Sequence, residues 1–369
     1  DRTPLGFFAI DSDTASKILG RETYWRAKAK CKIAFWQGRR DEVVQSWIED
    51  GIELYKKLDI IDIVPVFSDF SAGICPSKNY VPEKVKKVDE TTWEDAQGRV
   101  YKYSDQTKDI TLVHDPHLWT RQHKLEDEIW NGSVNIPDES IFEAVDAIID
   151  AFKDERYIIG HHAGEQAWLL LGGMERGFME IGTRPDEIKR IFESRVDKAI
   201  AEDKYYIRKG QDAVIGGEDL CCSNGPFIAP DQYRQLFLGG FKRRLKAFKD
   251  RRLPFFKHCC GNTWKYLDIF AEAGIDCYQS IQKSAGMDIR QVQKQYKDKF
   301  ALWGGVPVEY LIGGYTEDIR KSVRYVMTEV APEGRFIMGT THSVAVGTKY
   351  ENFMRSEEHT SELQSPNTI

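Results

Sequence analysis

From Pro137 to His342, short apolar runs alternate with amphipathic segments, and this rhythm restricts the fold more than any other feature of the chain. Tyr157 to Gly160, Asp212 to Gly217, Pro254 to Phe256, Asp276 to Ser280, Phe300 to Gly304 and Arg335 to Gly339 read as buried strands. The segments between them carry apolar stripes at helical spacing, as in Ser140 to Phe152, where Ile141, Phe142, Val145, Ile148 and Ile149 share one face. Helices are also expected at about 165–181, over Pro230 to Arg252 and over Thr316 to Val330. Leu5 to Ile10 and Asp59 to Val66 add two strand candidates, with helices expected over Thr14 to Gly38 and Arg40 to Leu58. Strands that alternate with helices run parallel. About eight such units favour an α/β chain closed as a (β/α)8 TIM barrel over an open sheet. A doubly wound sheet would be expected to carry a dinucleotide fingerprint, and neither GxGxxG nor GxxxxGK[ST] occurs.

One stretch breaks the rhythm. Residues 75–135 read as an insertion after strand 2, with a hairpin about Gln97-Gly98 and too little apolar content for a core of its own. Residues 1–354 are therefore expected to form a single domain. Arg355 to Pro366, RSEEHTSELQSP, has no apolar periodicity and resembles the translation of a synthetic adapter. We set 355–369 aside as a non-native tail and expect the natural chain to continue with a helix instead.

Composition removes several functional classes. The net charge of -6, without a long Lys/Arg block, argues against a nucleic-acid binder. No apolar run approaches the ~20 residues that a membrane helix needs. The 7 cysteines are scattered, and two adjacent pairs, Cys221-Cys222 and Cys259-Cys260, are poorly placed for disulfides, so reduced thiols and a cytoplasmic location are expected.

In a βα barrel every strand ends at one mouth. The residues following the strands are Asp11, Asp69, His161, His162, Glu165, Glu218, Asp219, His258, Cys260, Gln279, Gln282 and His342. The sharpest local pattern is PFFKHCCGNT, Pro254 to Thr263. His258 and Cys260 are two apart at a strand end, so imidazole and thiolate point the same way, while Cys259 points away. That donor pair suits zinc, with His342 as the candidate third ligand. The plainer readings stand beside this one. Buried histidines are often only hydrogen-bonded, and cysteines are often small core residues. Ser68 or Asp69 could cap a turn, and one of Glu218 and Asp219 could cap a helix.

These motifs resemble the uroporphyrinogen decarboxylase superfamily, including its corrinoid-linked methyltransferase branch. The resemblance spans roughly Arg2 to Asn352. Phe67-Ser68-Asp69 resembles the decarboxylase FSD motif, and Gly225 to Pro230 resembles the GPxxSP turn. His258-Cys259-Cys260-Gly261 resembles the HxCG motif of the zinc methyltransferases. Leu302 to Gly305 and Gly339 to Ser343 resemble the last two strand ends. The resemblance implies the same barrel and catalytic roles for Asp69, Glu165 and His342, while Asp11, His161, Glu218, Asp219, Gln279 and Gln282 are candidate substrate contacts from their places after the strands. It also implies zinc on His258, Cys260 and His342, and methyl transfer between a small substrate and a corrinoid carried on a separate protein. Two departures matter. The decarboxylases carry an arginine-bearing RQAGR stretch where this chain has Phe7 to Asp11, so a substrate with eight carboxylates has lost its counter-charges. The methyltransferases usually place cysteine where this chain has His342, and the decarboxylases often place histidine there. The alternatives are a metal-free decarboxylase of another carboxylated substrate and a non-catalytic ligand-binding barrel.

Overall fold

The computed structural model describes residues 2–66, 73–120 and 125–356. Asp69, with Phe67 and Ser68, lies outside the described residues, as does 357–369.

The expected rhythm forms a seven-stranded parallel sheet. Its strands are β1 (Ile63–Pro65), β6 (Tyr157–Gly160), β7 (Ala213–Gly216), β10 (Phe255–His258), β11 (Cys277–Gln279), β12 (Ala301–Val306) and β13 (Phe336–Thr340), in chain order across the sheet. Both faces are covered, so β1, β7, β10 and β11 are buried at every residue. Strand alternation sorts the side chains. Ile63, Ile159, Ala213, Ile215, Phe256, Cys277 and Trp303 form one cluster on the inner face. Val64, Ile158, Val214, Phe255, Tyr278 and Leu302 join the main core between sheet and helices.

The N-terminal segment meets both edges of this sheet. Leu5 O accepts from Asp62 N at 2.8 Å, beside β1. Gly6 N donates to Met338 O at 2.9 Å, and Met338 N donates to Pro4 O at 2.8 Å, on β13. The arrangement is consistent with the expected barrel. Leu5 to Ile10 is not a regular strand, however. It pairs only through isolated bridges, Leu5 to Met338 and Ile10 to Val344.

Two helices differ from expectation. Thr14 to Gly38 splits into Ser12–Leu19 and Lys28–Trp36. Gly20 stops the first in a left-handed cap, and the turn is held by Thr23 Oγ1 on buried Asp50 and by Arg26 on Asp11. The helix expected at 165–181 begins only at Met174. The N–H groups of Ala167 and Trp168 donate to the Glu218 carboxylate at 2.8 and 3.1 Å instead of to a helical ladder.

Between β1 and β6 the chain forms an antiparallel sheet of β2 (Val85–Lys87), β3 (Thr92–Asp95), β4 (Val100–Ser104) and β5 (Asp109–His114), larger than the hairpin expected. Its apolar residues Trp93, Tyr101 and Ile110 pack with Ala29 of the helix Lys28–Trp36. A short ribbon, β8 (Cys221–Cys222) with β9 (Gly225–Pro226), follows β7. The last described helix, 350–356, includes Arg355 and Ser356. Among the described residues no helix is long and apolar enough to cross a membrane.

Gly339 sets the closest backbone approach at the closure. A Cβ there would lie 2.2 Å from Gly6 O and 2.8 Å from Trp303 Nε1. Gly339→Ala is therefore expected to cost about 1–3 kcal/mol by overpacking, measured by denaturant unfolding. Gly313→Ala, whose Cβ would meet nothing within 4 Å, serves as the control and should change stability little.

Candidate metal centre

His258 ends β10 with the same parity as Phe256, so its ring enters the mouth from the inner face. The chain must then turn at once. Gly261 adopts φ +87°, and a Cβ there would lie 2.6 Å from Cys222 O. Asn262 N donates to that same carbonyl at 2.9 Å. His342 follows β13, and its carbonyl accepts from Thr340 Oγ1. The His258 and His342 rings meet edge to face with centroids 5.4 Å apart. One ligand atom from each of His258, Cys260 and His342 lies within 4.8 Å of the others. A tetrahedral zinc with bonds of ~2.0–2.3 Å would set its ligand atoms roughly 3.3–3.6 Å apart. The donors are of the types zinc takes and are grouped near that spacing, so the donor set fits the ion.

Electrostatics favour ligation at the imidazoles. Burial lowers the pKa of His258 to about 4, against the opposing pull of Asp219, so its ring is neutral and keeps a lone pair at pH 7. Burial also lowers His342. The Cys260 thiol is pushed up to about 12, by burial first and then by the Asp219 charge. Without a cation it holds its proton. Asp219 Oδ1 accepts from Cys260 N at 2.9 Å and lies 3.8 Å from His258 Nε2.

The remaining sequence candidates divide into several places. Gln279, fully buried, accepts from His258 Nδ1 through Oε1. Gln282 accepts from Gly261 N at 3.0 Å and holds the turn. Asp11 takes Arg26 Nε at 2.6 Å and Val346 N at 3.2 Å, tying the loop after β13 to the N-terminal segment. His161 is buried on the inner face with Nε2 unpartnered, and burial followed by its neighbour His162 lowers it to about 3. His162 turns outward, with Nε2 on Ile215 O at 2.8 Å and Nδ1 accepting from Gly164 N at 3.0 Å. Glu165 is engaged behind the sheet, paired with Lys257 and accepting from Glu218 N at 2.7 Å. Glu218 caps the loop 167–168, and burial together with the Glu165 charge raises it to about 7. Cys259 is buried in the outer core, where its sulfur accepts from Leu220 N at 3.3 Å.

Two participants escaped the sequence reading. Lys257 is fully buried, pairing with Glu165 and donating to Glu218 O at 2.6 Å. A lysine inside an otherwise buried strand needs such a partner, and that was the available signal. Phe8 stacks on the His258 ring at 4.2 Å. Only the parity of LGFFAI hinted that it would face inward.

A family model for uroporphyrinogen decarboxylase (URO-D) matches residues 138–362, more than half of the 369 residues. The chain belongs to the uroporphyrinogen decarboxylase family. Among solved structures, a methyltransferase from Methanosarcina mazei is similar at 14% identity and a TM-score of 0.63, over 99% of this chain and 95% of that one. A putative vitamin-B12-independent methionine synthase from Listeria monocytogenes aligns at 11% identity and a TM-score of 0.48, over 99% and 96%. No curated sequence gives a significant match. At such identities the methyltransferase shows a shared fold.

Because Cys260 is protonated well above neutrality, metal binding must expel its proton. Both histidines are already neutral above pH 7 and add no dependence there. Apparent zinc affinity is expected to rise about tenfold per pH unit between pH 7 and 9, measured by chelator competition, with the slope lost in Cys260→Ser.

Proposed function

We propose that the protein is a methyltransferase that moves a methyl group between a corrinoid, carried on a separate protein, and a small thiol substrate, in the cytoplasm. The observation that supports this most is the meeting of His258, Cys260 and His342 at the mouth of a URO-D-family fold. Zinc on those ligands would leave one position open and lower the pKa of a thiol bound there, making it nucleophilic at neutral pH. The chain's own groups supply the rest. Phe8 and Gln279 orient the His258 ring. Asp219, with a side chain 42% exposed, is placed to take the substrate's proton at its carboxylate and release it to solvent. His161, neutral and with Nε2 unpartnered, offers a hydrogen bond to substrate from the inner face. Asp69 is retained as an acid candidate from its motif. Glu165 is paired with Lys257 and the Glu218 carboxylate with the N–H groups of Ala167 and Trp168, so neither is assigned to substrate.

A metal-free decarboxylase is the second reading, because histidine at position 342 also suits that branch. The absence of the arginine stretch at Phe7 to Asp11 weighs against uroporphyrinogen as its substrate. A passive ligand-binding barrel would not need three convergent metal donors.

Purified protein is expected to hold about one zinc per chain. Cys260→Ser and His342→Ala should lose most of it, and Cys259→Ser should keep it. Elemental analysis checks all three. Full retention in His342→Ala would move that residue from metal to substrate and leave Asp219 as the nearest alternative ligand. Anaerobic assays should show no conversion of uroporphyrinogen to coproporphyrinogen. Turnover of about 1 per second or faster would establish the decarboxylase reading instead.

A further inference from the structure

An imidazole can serve a metal through only one nitrogen while the other keeps its proton, and the surroundings decide which. We propose that Gln279 is a positioning residue that holds His258 as the Nδ1–H tautomer and leaves Nε2 as the nitrogen free to ligate. The proposal rests on the metal-binding reading above.

The argument begins with register. His258 and Gln279 are partners across the β10–β11 pair and share the inward parity. Gln279 is fully buried, so both ends of its amide need partners. One neighbour is Thr340 O, 3.4 Å from Nε2. A carbonyl can only accept, so the NH2 end must face it. That fixes the flip of the amide by chemistry and turns Oε1 toward His258. Oε1 can only accept in turn, so Nδ1 must carry the proton. The opposite tautomer would set two lone pairs face to face in a site with no room for water to intervene. Nε2 is then the unprotonated nitrogen, on the side where Asp219 Oδ1 stands 3.8 Å away. Phe8, stacked at 4.2 Å with an interplanar angle of 17°, prevents the ring from tilting out of this plane. Histidine side chains in water favour the Nε2–H form, so the site selects against the intrinsic preference.

The test uses full-length protein labelled with 15N in histidine and stripped of metal. Long-range 1H–15N spectra report each ring's tautomer, and chelator competition reports zinc affinity. Wild type should show His258 as Nδ1–H. Gln279→Met, which removes the acceptor at similar volume, should shift the ring toward Nε2–H and weaken zinc about 10–100-fold. Gln279→Glu keeps an acceptor oxygen on Nδ1 but sets its second oxygen against Thr340 O, so it should restore the Nδ1–H tautomer at a cost in stability. An Nε2–H ring in wild type overturns the proposal, and this spectrum suffices if Gln279→Met fails to fold. Unchanged tautomer and affinity in Gln279→Met overturn it equally. A wild type that binds no zinc yet shows the stated tautomer dependence would remove the metal reading and leave the positioning of His258 standing.

Discussion

The contact on which the mouth depends lies behind it. Lys257 carries a full charge inside a strand that is buried at every residue. A lone ammonium there would be untenable, and removing one partner of such a pair typically costs about 3–5 kcal/mol. Glu165 arrives from the loop after β6, and the Glu218 carbonyl from the loop after β7. One cation therefore ties together three consecutive strand ends. Glu165 also takes Glu218 N, and the Glu218 carboxylate takes the N–H groups of the 167–168 loop. These irregular loops are packed without leaving their backbone polar groups stranded. The next residue after Lys257 is His258, so the clamp on one face of the strand steadies the metal candidate on the other.

Nearby, the same logic recurs with a guanidinium as the cation. Arg244 and Asp203 are both fully buried, and Arg244 Nε reaches Gly164 O at 2.8 Å. Ala163 N donates to Asp203 at 3.2 Å. The loop that begins at His161 is thus held by two buried ion pairs, and its irregular course is imposed from outside rather than by local propensity.

The strands after Pro137 were legible because each is a short apolar run with turn residues at both ends. Strand parity points His258 and Cys260 the same way, and Gln279 follows a strand that ends at the same mouth. What the sequence concealed was long-range. Glu165 looked like a mouth residue because it follows a strand, yet Lys257, 92 positions away, draws it behind the sheet. Glu218 looked like a substrate contact, but its carboxylate meets N–H groups about 50 positions earlier. Thr14 to Gly38 carried enough Lys, Arg and Ala to read as one helix. Tertiary bonds to Asp50 and Asp11, together with the left-handed cap at Gly20, overrode that propensity. Leu5 to Ile10 had the composition of a strand, but edge contacts supply only isolated bridges there.

The closure by the N-terminal segment bears on the order in which the protein is made. Gly6 bonds to Met338, and Trp303 Nε1 reaches Gly6 O at 3.0 Å across 297 positions. Contacts of such sequence separation form late, because long loops must close first. Phe8, which stacks on His258, and His342, which completes the donor set, belong to these two distant ends. During synthesis, His258 and Cys260 emerge about 80 residues ahead of His342 and offer only a two-point grip, too weak to hold an ion against cellular chelators. Were the site to take a metal, its occupancy would report that the chain has been translated through its last strand. A chain truncated before that strand would then identify itself by being empty.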